Sequence, residues 1–227
     1  HTIEEIQRNY CVTQPVSVEF HSQSAFSAFL DDQEANDFLA FDGADFSPLS
    51  YVTKMTLQGF TGGVIHFPTL ISSLTLTNCY LVTIANATNL KELCLCESQD
   101  SFRSKPKPLP NNLPRPPDDV SSVLYPYITH SLPQLTSLTL GVDRLVDEFV
   151  FPTGLLKLTI YQNKRPFSLQ RITHLTNLQE LLLHSFNATQ SSDFSGMTRL
   201  TRLELSMCPD IRLPTSLRTI KMFVTRD

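Results

Sequence analysis

Cys94-Leu95-Cys96 is where the chain concentrates its reactive side chains. Two thiols two residues apart on an extended segment project from one face, and a thiol pair is the start of a soft-metal site, although no second pair stands near to complete it. His21, His66, His130, His174 and His184 are scattered without metal-ligand spacing. The seven glycines form neither a G-x-x-x-x-G-K nor a G-x-G-x-x-G cradle, so no phosphate-binding loop is encoded. There is no G-x-S-x-G elbow and no H-E-x-x-H helix motif. These residues point to no catalytic centre, no metal and no cofactor, and the chain reads as a non-enzyme.

What positions the thiols is a repeat. The apolar frame L-x-x-L-x-L is clearest at Ile71, Leu74 and Leu76 and returns at Val52/Met55/Leu57, Leu90/Leu93/Leu95, Leu135/Leu138/Leu140, Leu155/Leu158/Ile160, Leu178/Leu181/Leu183, Leu200/Leu203/Leu205 and Leu217/Ile220/Met222. The fourth positions (55, 74, 93, 138, 158, 181, 203, 220) are separated by 19, 19, 45, 20, 23, 22 and 17 residues. Alternation across Leu74-Thr75-Leu76 predicts a strand with one buried face. A unit of about 20 residues cannot bury that face alone, so neighbouring repeats must supply the core. Stacking also separates distant repeats by about 4.8 Å per strand, which puts His184 out of reach of Cys94 and Cys96.

The frame resembles the leucine-rich repeat family over roughly residues 51–224. The resemblance implies an α/β solenoid: a horseshoe with a curved parallel sheet on its concave face and a largely non-helical convex side. It also implies that an Asn or Cys at position nine, here Cys79, Asn163 and Cys208, hydrogen-bonds the backbone where the chain leaves the strand, whereas Phe60 and Phe186 mark irregular copies. Three copies carry an L/F-P prefix, Phe67-Pro68, Phe151-Pro152 and Leu213-Pro214, and proline favours an extended back over a helix. That prefix is similar to short-repeat types of bacterial effectors and protist proteins.

Outside the frame, residues 1–50 hold nine acidic residues against one arginine, while residues 51–227 hold 13 acidic against 17 basic, for a net charge of -4. Val16-Ser17-Val18-Glu19-Phe20 alternates like a strand and the stretch from Ser24 to Phe41 has helical spacing, so residues 1–50 read as an acidic N-terminal cap for the 51–227 solenoid. The step of 45 contains a proline-rich loop insertion at about 99–119, with room near Val120–Tyr127 for one degenerate repeat. Pro114-Arg115-Pro116-Pro117 is a minimal P-x-x-P, the basis of an SH3-like contact. Basic residues are dispersed, which argues against nucleic acid, and no apolar run reaches the ~18 residues of a membrane span.

The repeat itself offers a surface. Exposed position five reads Thr56, Thr75, Cys94, Thr139, Thr159, Leu182, Glu204, Lys221, and position seven reads Gln58, Thr77, Cys96, Gly141, Tyr161, His184, Ser206, Phe223. The second half carries large groups, and Tyr161, Leu182, His184, Arg202, Glu204, Met207, Lys221 and Phe223 form the candidate partner-binding set: an apolar centre with a charged rim. The expected function is a scaffold binding a protein through the concave face. The alternatives are a cell-surface or secreted receptor for a glycan or lipid, which the sequons Asn86-Ala87-Thr88 and Asn187-Ala188-Thr189 suit, and an adaptor or regulatory subunit of an enzyme complex. Exposed thiols and the lack of disulfide-rich caps favour a cytoplasmic location over a secreted or cell-surface one.

Overall fold

The computed structural model describes residues 16–21, 44–58, 64–77, 79, 83–96, 132–141, 149–161, 168–184, 192–206 and 211–223. Along them run β1 (Val16–His21), β2 (Ala44–Asp45), β3 (Val52–Gln58), β4 (Val64–His66), β5 (Ser73–Thr77), β6 (Thr83–Ala85) and β7 (Glu92–Cys96). There follow β8 (Ser137–Gly141), β9 (Lys157–Tyr161), β10 (Glu180–His184), β11 (Ser192–Asp193), β12 (Arg202–Ser206), β13 (Ile211–Arg212) and β14 (Thr219–Phe223). Nine strands make one sheet in the order β1-β3-β5-β7-β8-β9-β10-β12-β14, and every pairing in it is parallel. Two short parallel sheets, β2-β4-β6 and β11-β13, run along the back. The chain is thus a solenoid of stacked coils, and the helical content among the described residues is a single 3-10 turn, Leu169–Ile172.

Every coil but that of β14 buries what the frame predicts. Positions one, four and six from Val52/Met55/Leu57 to Leu200/Leu203/Leu205 are closed off from solvent in seven successive coils. Their side chains form one continuous core, as expected when alternate residues of a strand face opposite ways.

The back of each coil has a second apolar rhythm. Three residues before position one lie Leu49, Ala87, Leu132, Leu175 and Met197, and six before it lie Phe46, Ile65, Ile84, Phe149, Ile172 and Phe194, all buried. In every coil the position-one N–H donates to the carbonyl three residues earlier, as in Leu90 to Ala87 and Leu200 to Met197, 3.1 and 3.0 Å. That tight turn folds the back inward without a helix. In the coils with the proline prefix the proline occupies the acceptor position: Ile71 donates to Pro68, Leu155 to Pro152 and Leu217 to Pro214. Proline suits the position, because only its carbonyl is used. The sequence Asp-Phe-Ser opens two of the backs: the N–H groups of Ser47 and Ser195 donate to the carboxylates of Asp45 and Asp193, each at 2.9 Å.

Two expectations meet the structure at particular places. The alternating segment Val16–Phe20 is β1, which pairs in parallel with β3, so the large sheet extends into the region read as a cap. Phe46 and Leu49 likewise belong to the common core. Across the long step β7 pairs directly with β8, Glu92 opposite Ser137 through Cys96 opposite Gly141; Val120–Tyr127, where a degenerate repeat is expected, lie outside the described residues. The proline-rich loop, its P-x-x-P motif, the helical spacing of 24–41 and the sequon at Asn187 lie outside the described residues.

The core sets a testable contrast. Leu158 is 0% exposed and Leu70, on the back, is 55% exposed. Leu158→Ala should lower the unfolding free energy by about 2–5 kcal/mol, whereas Leu70→Ala should change it by less than about 0.5 kcal/mol. Chemical denaturation of the two variants beside the parent measures both, and equal losses would contradict this assignment of inner and outer positions.

Candidate functional site

Because the sheet is in register, the open face is a grid. Position three carries Lys54, Ser73, Glu92, Ser137, Lys157, Glu180, Arg202 and Thr219; positions five and seven run alongside it as parallel rows. Side chains in one row are neighbours on adjacent strands, about 4.8 Å apart.

The first half of the grid is small and mostly uncharged, and its centre holds the two thiols. Cys94 and Cys96 are both free, partly exposed and turned toward each other, with their sulfurs 3.2 Å apart. A hydrogen bond from the Cys94 thiol, helped by the Gly141 N–H, brings the Cys96 pKa down to about 7 against the opposing effect of burial. The same hydrogen bond, together with burial, pushes the Cys94 thiol up. Beside them lies a shallow polar depression of about 400 Å³ whose lining includes Glu92, Ser137, Thr139, Lys157 and Glu180. Lys157 and Glu180 meet across it at 3.5 Å.

The second half brings most of the candidate residues together. Tyr161 on β9 and His184 on β10 are opposite each other in register and stack, with ring centroids 5.0 Å apart and planes 10° from parallel. His184 Nε2 lies 4.0 Å from Glu204 Oε2 on β12, a contact that becomes an ion pair when the imidazole is protonated. Arg202 donates to Glu204 Oε1 from Nη2 at 2.6 Å and from Nε at 3.1 Å, and Lys221 Nζ on β14 reaches the same oxygen at 3.1 Å. Leu182, half-buried, stands between Thr159 and Glu204 in its row. Met207 lies outside the described residues, as does the side chain of Phe223, whose backbone ends β14.

The arrangement differs from a simple apolar centre with a charged rim. Glu204 is only 4% exposed, folded beneath two cations, and Thr159 in the same row is 3% exposed. The charged group therefore sits inside the cluster and the aromatic stack lies beside it, with Tyr161 40% exposed. Sequence patterning places Arg202, Glu204 and Lys221 on one face. That two cations from two strands converge on one carboxylate oxygen depends on rotamers, for which alternation gives no signal.

Among the described residues no three His, Cys, Asp or Glu side chains gather as metal ligands, and no helix is long and apolar enough to cross a membrane. Cys96 and His184 are on β7 and β10, three strands apart. Among the described residues the open face thus offers aromatic, thiol and ion-paired groups. No family model, curated protein or solved structure matches the chain.

The Glu204 carboxyl is held below its ordinary value of 4.5 by the Arg202 hydrogen bond first and that of Lys221 second. Between the lowered value and 4.5 the unfolded chain binds a proton that the folded chain does not, so the cluster stabilises above that window and its contribution is lost as pH falls through it. Thermal midpoints of the parent and of Glu204→Gln should therefore converge on acidification, the parent losing more as the pH falls below about 4.5. Parallel melting curves with equal acid sensitivity would show that the carboxylate gains nothing from its two cations.

Proposed function

We propose that this chain is a leucine-rich repeat protein of a short, irregular type that acts without catalysis, binding a protein partner through the open face of its large sheet. In a horseshoe of that family this face is the concave one. Support for the family comes from the inner frame, from the non-helical backs, and from Cys79, whose sulfur lies 3.5 Å from the carbonyl oxygens of Leu57 and Thr77 where the chain leaves β5. The hydrogen bond expected of position nine is available there.

One observation carries the binding proposal: the stacked Tyr161–His184 pair beside the Glu204 cluster. Aromatic and arginine side chains dominate binding energies at protein interfaces, the aromatic ones because they bury a large area with few rotors. Here the stack fixes two rings before any partner arrives, and the ion pairs hold Arg202 and Lys221 in place, which lowers the entropy lost on association. Tyr161, Leu182, His184, Arg202 and Lys221 are the contact residues, with Glu204 as the group that positions the two cations.

A secreted or cell-surface receptor is the second reading, favoured by the sequon at Asn86: Asn86 and Thr88 are both exposed, on a turn where Asn86 takes a φ of 62°. A glycan on Asn86 in native material would select this reading over a cytoplasmic scaffold.

The test is capture from native lysate by the parent and by a Tyr161→Asp/His184→Asp double variant, each first shown to melt alike. A partner bound by the parent should be weakened by about 2 kcal/mol, roughly 30-fold, in the double variant, as for loss of an aromatic hot spot. Undiminished binding by a folded double variant would remove the proposed interface.

A further inference from the structure

The core makes no use of the Cys94–Cys96 pair, and neither does the ion cluster four strands away. The pair stands on β7, in the interior of the sheet between β5 and β8. Thr75 and Thr139 flank Cys94 in its row, and Thr77 and Gly141 flank Cys96. A Cβ at position 141 would lie 3.2 Å from the Cys96 sulfur, so glycine at this position keeps that sulfur uncovered.

Two fates are open to thiols this close, and the strand discriminates between them. A disulfide needs the sulfurs at about 2.05 Å and the Cβ atoms about 3.5–4.5 Å apart. The parallel side chains of residues i and i+2 on an extended strand start about 6.6 Å apart, and the sulfurs would have to close by more than 1 Å from 3.2 Å. The backbone that would have to bend is paired on both sides. Chelation asks for less. Two metal–sulfur bonds of about 2.3 Å place the sulfurs about 4.0 Å apart at a trigonal angle and about 4.6 Å apart when linear, wider than the present 3.2 Å, and the pair reaches that by opening through side-chain rotation with the strand left in place.

We propose that Cys94 and Cys96 form a two-sulfur site for a soft, thiophilic cation of low coordination number, of the Cu(I) kind. Thiolates select soft cations. Among the described residues no His, Asp, Glu or third Cys joins the pair to fill a tetrahedral shell. An ion content with two sulfur donors is therefore favoured over Zn²⁺, which prefers four ligands. Binding displaces the thiol protons to solvent, and each sulfur donates one electron pair to the cation without change of oxidation state.

The experiment is an anaerobic Cu(I) titration of the reduced protein against a chromogenic Cu(I) chelator, for the parent, Cys94→Ser, Cys96→Ser and the double serine variant. All four should melt alike, since both side chains lie on the open face. The parent should take one equivalent, each single variant should bind at least about tenfold more weakly, and the double variant should lose that equivalent. Gly141→Val, which leaves both thiols in place but covers Cys96, should also weaken binding. An unchanged equivalent in the double variant would assign the copper to Cys11, Cys79 or Cys208 and overturn the site. Single variants as tight as the parent, or Zn²⁺ held as tightly as Cu(I), would overturn its two-sulfur, low-coordination character.

Discussion

Everything on the open face depends on a line of main-chain hydrogen bonds that enters each strand at the same residue. Thr53 O accepts from Ser72, Ser72 O from Lys91 and Glu92, Lys91 O from Thr136 and Ser137, and Thr136 O from Leu156 and Lys157. The line continues from Leu156 through Gln179 and Thr201 to Arg218 and Thr219 at 2.8–3.1 Å. Hydroxyls of Ser72, Thr136 and Thr201 reinforce it by donating to the same carbonyls. A slip of one residue at any strand would turn its inner leucines outward and its open-face groups into the core, so burial and hydrogen bonding enforce one register together. The site's rows are a consequence of that register rather than of any contact between the site residues.

The same line explains how the solenoid tolerates a step of 45 residues. Lys91 O accepts from Thr136 and Ser137 with the same geometry as between coils 19 or 20 residues apart. Ordering is local to the coil junction, and the entropy of closing a longer connection grows only logarithmically with its length. A lengthened back therefore costs the stack little, provided that the strand re-enters in frame. Cys94 and Cys96, which end the coil before that step, keep Thr139 and Gly141 as neighbours.

The inner frame is legible in the sequence because three apolar positions repeat at fixed offsets with few substitutes. The rhythm of the back is harder to read, since Phe46, Ile65, Ile84, Phe149, Ile172 and Phe194 alternate with partners as different as Ala87, Met197 and a proline carbonyl. What those positions share is a place in a turn, and several residue types satisfy it. The candidate site divides in the same way. That Tyr161 and His184 face the same way follows from counting along the repeat, and their stacking follows once their strands are adjacent and in register. The burial of Glu204 does not follow, because it results from Arg202 two residues away and Lys221 one strand away choosing the same oxygen. The 3.2 Å approach of the two sulfurs is likewise a choice of rotamers.

β14 shows what a neighbouring coil supplies. Ile220 and Met222 occupy positions four and six of β14, where every preceding coil from Met55/Leu57 to Leu203/Leu205 is closed, yet they are 43% and 58% exposed. Their residue types and offsets are those of the frame, so the sequence alone cannot distinguish them from buried partners. The difference is that β14 pairs with β12 on one side and with no other described strand. Burial in a solenoid belongs to the junction between coils rather than to the coil, and the open face obeys the same rule: Lys221 acquires its role only because β12 presents Glu204 beside it. The core and the open-face cluster are thus built from the same pairwise junctions but from opposite faces of each strand. Substitutions on the open face can accordingly change that surface while leaving the inner leucines packed.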